Sequence, residues 1–368
     1  MRGRGGKAFD RDWTKGSIIR NLLSLSWPIM VSNSLNMLGP TIDMIWVSRL
    51  GSAAIAGVGV AGMAVMVINS ARMGINTGTR ALVARFIGAG ETESARHVAR
   101  QAFIISAVFA IFMLAAGVLL AEPVMELMGV EADVVSEGAA YMRIMFIASV
   151  FMSFRMMAEG IMQASGDSVN PMRIVILFRF FHLVLCPFLV FGWWIFPQLG
   201  VSGAALTNVL SQSLGMIAGL WILFSGRSRL KLTMQNFRFD SSTIWRIVKI
   251  GIPASITGIE RSFSNLILTW FVVPFGTFSV AAHALLQRIE MILFMPGFGL
   301  GIGAGVLGGQ NLGAHQPQRA ERGIWLAVIL VEGFMLIASM IILICAEGVI
   351  NIFSSEPELV DIAGTFLR

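Results

Sequence analysis

Long uninterrupted apolar runs are the feature of this sequence that most restricts its fold. Two of them, AFIISAVFAIFMLAAGVLLA (102–121) and GIWLAVILVEGFMLIASMIILICA (323–346), reach or exceed the roughly 20 residues with which a helix crosses a bilayer. Over the whole chain 56% of residues are hydrophobic and 13% are charged, whereas an ordinary soluble domain has about 25% charged residues. A soluble fold cannot bury this much apolar surface, so the sequence predicts an integral membrane protein.

The composition of the apolar segments favours helices over a β-barrel. The segments contain Gly and Pro, and they lack the alternating polar positions typical of barrel strands. We therefore predict an all-α polytopic membrane protein. Hydropathy and loop signals predict nine complete spans and the start of a tenth near residue 357; the nine are 18–47, 53–82, 94–121, 135–162, 170–195, 201–224, 243–271, 277–308 and 319–346.

Basic residues indicate the orientation of these spans. They precede span 1 and lie in the loops after spans 2, 4, 6 and 8, whereas the alternate loops carry Arg49 and otherwise acids or no charge. By the positive-inside rule the N-terminus is cytoplasmic, and we expect a bacterial-type plasma (inner) membrane. The net charge of +6 is explained by cytoplasmic loops facing anionic lipid, and it gives no reason to expect a nucleic acid partner.

The sequence also repeats itself at a fixed distance. Equivalent residues lie 225 positions apart in an ungapped register, as shown by Pro28 and Pro253, Gly51 and Gly276, and Gly78 and Gly303. The first unit holds six spans, and because six is even both units begin on the same side of the membrane as a parallel repeat. We expect a cytoplasmic tail (1–16), an N-lobe (17–225), a cytoplasmic loop (226–241) and a C-lobe (242–368).

Two complete units of this kind would have twelve spans. The sequence ends after nine spans and the start of a tenth, so the last part of the second lobe is expected to be missing from it. Glycine-rich stretches such as GVGVAG (57–62) and GAGVLG (303–308) are interpreted as small-residue surfaces for close helix packing.

With the repeat, four motifs carry a resemblance to a known family. They are GTRALVARFIGAGETESARHVAR (78–100), GAGVLGGQNLGAHQPQRAERG (303–323), GIMQASGDSVNPMR (160–173) and LGVSGAALTNVLSQ (199–212). The sequence resembles the multidrug and toxic compound extrusion (MATE) antiporters. The resemblance implies two six-helix bundles around a central cavity and alternating access. It also implies H⁺- or Na⁺-coupled export of amphipathic, often cationic compounds by a monomer that has no enzymatic activity, metal or cofactor.

One carboxylate stands inside the first apolar segment, LNMLGPTIDMIWVSRLG (35–51). Asp43 at this depth costs about 2.5–3.5 kcal/mol on insertion scales, so such a residue usually faces the bundle interior. Asn36 lies two helical turns earlier on the same face. A carboxyl group removed from water binds a proton more readily, and we therefore expect Asp43 to take part in coupling; alternatively it is a solvated acid at the outer interface near Arg49.

Two prolines make the first span pliable. Pro28 and Pro40 each remove one backbone donor from the helix. A protonation event beside a pliable helix is a plausible switch. The MATE resemblance agrees, because Asp43 falls on the family's first-helix carboxylate and Pro28 on its kink proline.

The fifth span, FRFFHLVLCPFLVFG (178–192), departs from the family pattern. The family commonly has Asn where His182 stands and Asp where Cys186 stands, so the usual second carboxylate of this lobe is missing. His182 could serve instead, because a histidine with its ordinary pKa of about 6.5 exchanges protons readily, and Arg179 nearby would bias it toward the neutral form. The alternative is a hydrogen-bonded histidine with a packing role.

Further candidates lie mainly in the second lobe. Glu260 in span 7 is a candidate for cation binding, or else a member of a structural ion pair with Arg288. Arg288 could equally pair near Glu290, since intramembrane charges generally find partners. Gln287 on span 8 and Thr207 in the LGVSGAALTNVLSQ motif complete the expected cavity-lining or supporting residues.

The sequence leaves three alternatives to the antiporter. A flippase of lipid-linked oligosaccharides from the same superfamily would carry more spans and a more cationic cavity, for phosphate-bearing substrates. A membrane prenyltransferase or intramembrane protease is disfavoured because the sequence has no aspartate-rich metal motif, no H-E-x-x-H and no G-x-S-x-G. A non-functional remnant is the last alternative, and efflux by the expressed chain would exclude it.

Overall fold

The computed structural model describes residues 11–127, 132–235, 237–351 and 357–367. These residues form helices and no strand, so the predicted all-α class is confirmed. Eight of the nine predicted spans lie within one helix each, and a tenth helix begins at the predicted residue. The exception is 170–195, where the helix ends at Phe191 because Gly192 adopts the left-handed conformation. The helices are α1 (Ile18–Val47), α2 (Ser52–Gly88), α3 (Thr92–Leu127), α4 (Ala132–Ala164), α5 (Val169–Phe191), α6 (Gly200–Ser225), α7 (Ser241–Val272), α8 (Thr277–Gly313), α9 (Pro317–Asn351) and α10 (Pro357–Leu367).

Six helices within the described ranges are long and apolar enough to cross a membrane by length and composition: α3, α4, α5, α6, α8 and α9. Polar residues lower the hydropathy of α1 and α7, among them Asn36 and Asp43 on α1 and Glu260 and Arg261 on α7. The placement of α1, α2 and α7 in the bilayer therefore stays a prediction. Their polar residues do not conflict with it, because a helix that packs against protein can carry polar groups that lipid would not accept.

The first six helices pack around α4, which contacts α2, α3 and α6, while α5 lies against α6 and α1. In the second half of the chain α8 packs against α9 and α10. α7 packs mainly against α2, and α8 also contacts α1 and α2. The two halves of the chain therefore meet along α1 and α2 on one side and α7 and α8 on the other.

Glycines let these four helices approach closely, and the contacts follow the 225-residue repeat. A methyl group at Gly74 would overlap the backbone of Gly251 and the side chain of Ser255. Its counterpart Gly299 packs in the same way against Met30, the counterpart of Ser255. An equivalent pair of overlaps joins Gly88 to Gln310 and Gly313 to Arg85. Gly78 meets Ile247, whereas its counterpart Gly303 meets Ser26, so this pair follows the repeat only approximately.

All of these close approaches lie at one end of the molecule. They use the first halves of α1 and α7 and the second halves of α2 and α8. That end is the cytoplasmic end in the predicted topology, since the basic loops follow α2 and α8 there. Asp43 lies on the second half of α1, away from this contact.

The connection between α6 and α7 is fixed to the start of α3. Arg96, Arg100 and Gln101 on α3 donate to the carbonyl oxygens of Lys231, Thr233 and Arg238 at 2.8, 2.6 and 2.6 Å. His97 on the same helix lies 3.0 Å from a carboxylate oxygen of Asp240. Asp240 also accepts from the backbone N–H groups of Ser242 and Thr243, so it caps the first turn of α7.

Candidate functional site

Pro40 creates a docking point on α1 for a cation from α5. In a regular helix the carbonyl oxygen of Asn36 accepts from the N–H four residues later, but Pro40 has none. Arg179 Nη2 donates to this oxygen at 3.1 Å. Gly39 makes the approach possible, because a methyl group there would overlap the guanidinium. The segment from Asn36 to Pro40 therefore holds Arg179 against α1.

The same guanidinium sets the tautomer of His182. Arg179 Nη1 lies 2.8 Å from His182 Nδ1, and because arginine can only donate, Nδ1 is an acceptor without a proton. The ring proton is therefore on Nε2, which donates to Asp43 Oδ1 at 2.8 Å. His182 is thus neutral, and Asp43 is the acceptor at the end of a chain running from Arg179 through His182.

Asp43 has further partners from three other helices. Asn208 Nδ2 on α6 donates to Asp43 Oδ2 at 2.8 Å, and Cys186 Sγ on α5 lies 3.8 Å from Oδ1. Tyr141 on α4, the only tyrosine in the chain, is buried and interacts with the same carboxylate. All of these partners are donors, so the arrangement fits an ionised carboxylate.

These contacts decide between the two interpretations of Asp43. The residue is 2% exposed, and Arg49 instead lies over the ring of Trp46, 5.2 Å from its centroid. The alternative of a solvated acid near Arg49 is therefore wrong. Hydrogen bonds to a charged group contribute about 1.5–3 kcal/mol each, so the bonds from His182 and Asn208 offset an insertion cost of about 2.5–3.5 kcal/mol.

Helical spacing explains how the sequence assembles this cluster. Arg179, His182 and Cys186 lie three and four residues apart and form one buried face of α5. Asn208 belongs to a buried face of α6 that also includes Thr207. Thr207 Oγ1 donates to the carbonyl oxygen of Gly203 at 2.8 Å within its own helix, which is consistent with the supporting position expected for it.

A second buried polar cluster was missed by the sequence analysis. Arg155 on α4 donates from Nε to Gln212 at 2.6 Å and forms an ion pair with Glu159. The Arg155 and Arg179 guanidinium groups lie 4.3 and 5.1 Å from the centroid of the Phe178 ring. The rule that singled out Asp43, a charge inside a predicted span, also applies to Arg155 and Glu159 in span 135–162.

The second-lobe candidates are not brought into the Asp43 cluster. Glu260, Arg288 and Glu290 are exposed, and in the part of the chain that the structure describes no ion pair within 4.0 Å involves any of them. The suggested pairing of Arg288 with Glu260 or near Glu290 is therefore not formed, and all three side chains are exposed. Gln287 is half-buried and bonded to His283 at 2.9 Å.

A cavity of about 450 Å³ lies between α2 and the pair α8 and α9. Its walls are apolar except for Thr77 and Arg80 on α2. Two aromatic rings, Phe294 and Phe298, line the opposite wall. This volume is within the range of about 300–1,000 Å³ that is usual for small-molecule sites. The cavity adjoins the close contact between the two halves of the chain.

Asp43, His182 and Cys186 are also the one group of potential metal ligands that converges within the described residues, with ligand atoms within 4.8 Å of one another. Both ring nitrogens of His182 are already hydrogen-bonded, one of them to a cation. A divalent ion bound here would have to displace the ring proton and lie close to Arg179. The donor set therefore suits a proton better than a metal ion.

Comparison with known proteins identifies the family. A family model named MatE matches residues 28–188 and 253–368, well over half of the chain. The chain belongs to the MATE family. It is therefore a multi-pass membrane transporter of small molecules, and its family comprises transporters and not enzymes.

Individual MATE relatives match along nearly the whole chain. The probable multidrug resistance protein YoeA of Bacillus subtilis is 26% identical over 362 residues, which cover 96% of this chain and 77% of that protein. A FAD transporter of Shewanella oneidensis is 24% identical, covering 93% of this chain and 76% of its own length. The solved outward-facing structure of a multidrug resistance MATE transporter has a TM-score of 0.89 at 24% identity, over 97% of this chain and 79% of that one.

Proposed function

We propose that this chain is a proton-coupled antiporter that exports amphipathic small molecules by alternating access. The observation that carries the proposal is the buried chain of hydrogen bonds from Arg179 through His182 to Asp43. Asp43 is its anionic end, and its other partners, Asn208, Cys186 and Tyr141, are also donors. Na⁺ would need several oxygen acceptors around the carboxylate, whereas the side chains here present N–H groups.

Protonation of Asp43 has a direct structural consequence. A proton on Oδ1 would face the proton on His182 Nε2, and Arg179 prevents His182 from accepting a proton at Nδ1. Protonation at Oδ1 therefore separates Asp43 from His182 and weakens the attachment of α1 to α5, whereas protonation at Oδ2 would place the proton against the Asn208 amide. α1 also carries Met30, which packs against α8 at the other end. A change at Asp43 is thereby transmitted to the contact between the two halves.

The basic loops support a cytoplasmic N-terminus, and we place the protein in a bacterial-type plasma membrane. With that orientation, the close packing at the cytoplasmic end corresponds to an outward-facing state. We further propose that the two lobes, 17–225 and 242–368, act as a monomer, with 1–16 and 226–241 as cytoplasmic segments. The oligosaccharide flippase is not favoured, since the MatE model covers both halves of the chain. A FAD-transporting relative also indicates that substrates of this family include aromatic anions.

The test is dye efflux from proteoliposomes under an imposed pH gradient or an imposed Na⁺ gradient. We expect the pH gradient alone to drive efflux, and Asp43→Asn to reduce the driven rate at least about tenfold, within the range of allosteric coupling energies. Asp361→Asn on α10 is the matched control, because Asp361 is exposed. Efflux driven by Na⁺ at equal pH, or undiminished in Asp43→Asn, would contradict the proposal.

A further inference from the structure

The charges around the cavity between α2 and α8 indicate which molecules it holds. Among the described residues that line it, Arg80 alone is charged. Within the described residues no carboxylate oxygen lies within 4.0 Å of the Arg80 guanidinium, whose side-chain partners are the neutral Gln163 and Thr77, each at 3.5 Å. A half-buried cation without a counter-ion leaves the cavity electropositive.

A second cation extends this charge along the aromatic wall. The Arg261 guanidinium on α7 lies 5.1 Å from the centroid of Phe294 and 5.4 Å from that of Phe298. Both rings line the cavity, so they present a flat apolar surface with a cation beside it. An aromatic ligand can stack on these rings while its anionic group reaches Arg80.

We infer that this cavity binds an amphipathic organic anion with an aromatic body. A cationic ligand would meet Arg80 with no lining carboxylate to compensate it. The cavity volume of about 450 Å³ fits a drug-sized molecule and is too small for a lipid-linked oligosaccharide. The inference rests on the proposed transport function and names its substrate class.

The location of the cavity connects binding to the movement of the two halves. Arg80 lies two residues after Gly78, which packs against Ile247 of α7. On the other wall Phe298 precedes Gly299, which packs against Met30 of α1. A ligand between these walls therefore lies directly beside the contact that holds the two halves together at this end.

The test uses two ligands that share an aromatic body and differ in charge, 2-naphthalenesulfonate and 2-naphthylmethylammonium. Binding to the purified full chain is measured by calorimetry. We expect the sulfonate to bind at least about tenfold more tightly than the ammonium. Arg80→Gln should abolish this preference, and Arg80→Lys should retain most of it. Arg246→Gln removes an exposed charge from α7 and should change nothing.

Arg261→Gln keeps the test decisive if Arg80→Gln does not fold, because Arg261 is exposed and its replacement leaves the interior unchanged. It should weaken sulfonate binding severalfold. Equal binding of the two ligands, or a preference for the sulfonate that survives both substitutions, would overturn the inference.

Transport assays separate this inference from the proposed function. Gradient-driven efflux of the ammonium, without Arg80-dependent sulfonate binding, would overturn the anion assignment and leave the antiporter standing. Arg80-dependent sulfonate binding without any gradient-driven efflux would support the anion site and contradict the antiporter.

Discussion

Arg179 donates to the carbonyl oxygen of Asn36, the oxygen that Pro40 leaves without its usual helical donor. The proline therefore does more than loosen α1, because it frees an acceptor that ties α1 to α5. Arg179 also holds His182 in the tautomer that donates to Asp43. The proline and the carboxylate are thus two ends of one attachment between the helices.

Replacing Pro40 should disturb this attachment without unfolding the chain. In Pro40→Ala the new N–H competes with Arg179 for the Asn36 oxygen, and α1 becomes a more regular helix. We expect the melting temperature to stay the same or rise, and pH-driven efflux to fall about fivefold or more. Pro123→Ala is the control, because it removes an exposed proline from α3. Undiminished efflux in Pro40→Ala would show that Arg179 docking is dispensable.

Adding a second carboxylate should change the pH dependence of transport. Cys186 Sγ lies 3.8 Å from Asp43 Oδ1, so Cys186→Asp would place two carboxylates close enough to share a proton. Like charges at this distance favour a protonated form, and we expect the midpoint of the efflux–pH curve to move to higher pH by about 1 unit or more. Cys186→Ser, which adds no charge, should leave the midpoint in place. A midpoint unaffected by Cys186→Asp would argue against proton binding at this cluster.

The glycine contacts should control how closely the two halves approach. A methyl group in Gly78→Ala would overlap the Ile247 carbonyl oxygen, so the cytoplasmic ends should separate. Spin labels at the exposed positions Glu93 and Gln318, in a Cys345→Ser background, should report a longer distance by a few ångströms. In the control Gly301→Ala the added methyl group meets nothing within 4 Å and the distance should not change. An unchanged distance in Gly78→Ala would mean that this contact does not limit closure.

Asp240 should protect the connection between α6 and α7 in a pH-dependent way. Hydrogen bonds from the Thr243 hydroxyl and from His97 hold the pKa of this carboxyl well below its usual range. A lowered pKa stabilises the folded connection at pH above about 3.9, the ordinary value, and this contribution is lost as pH falls further. Protection should therefore persist from neutral pH to about pH 4.

The measurement is limited proteolysis of the detergent-purified chain by trypsin, which cleaves after Arg227, Arg229 and Lys231. Asp240→Asn should be cut roughly three to ten times faster at pH 7, as expected for loss of a helix cap. Glu91→Gln, which removes an exposed carboxylate from the turn before α3, should be cut at the wild-type rate. Equal rates for Asp240→Asn and the wild type would show that Asp240 does not fix the connection.

Helix positions could be predicted from the sequence because lipid enforces them. A segment such as 201–224 has to satisfy its backbone within itself, so its apolar length fixes a helix, and α6 covers Gly200–Ser225. The burial of Asp43 could also be predicted, because a carboxylate exposed to lipid has a high free-energy cost. Its direct partners were harder to predict, since His182 and Asn208 lie 139 and 165 residues away along the chain.

Only one of the two effects of Pro40 on α1 could be predicted from the sequence. Pro40 was expected to make α1 pliable. Which donor binds the Asn36 oxygen that it frees depends on the position of α5, which the sequence does not give.

Glu260 is a residue for which the sequence predicted a contact that does not form. Its charge in a predicted span suggested a partner, and the structure leaves it exposed without an ion pair among the described residues, because span 7 packs mainly against α2.

The glycine contacts give the two halves an approximate two-fold symmetry, since the contacts of Gly74 and Gly88 have their equivalents 225 residues later at Gly299 and Gly313. The Asp43 cluster does not share this symmetry, because the residue equivalent to Asp43 is Leu268 and that equivalent to Asn36 is Arg261. Two identical halves would carry an acidic cluster on each side of the contact. In this chain the second half has Leu268 and Arg261 at the equivalent positions, and Arg261 lies beside the aromatic wall of the cavity. In the proposed mechanism, movement at the contact between the two halves is therefore governed by protonation at one site instead of two.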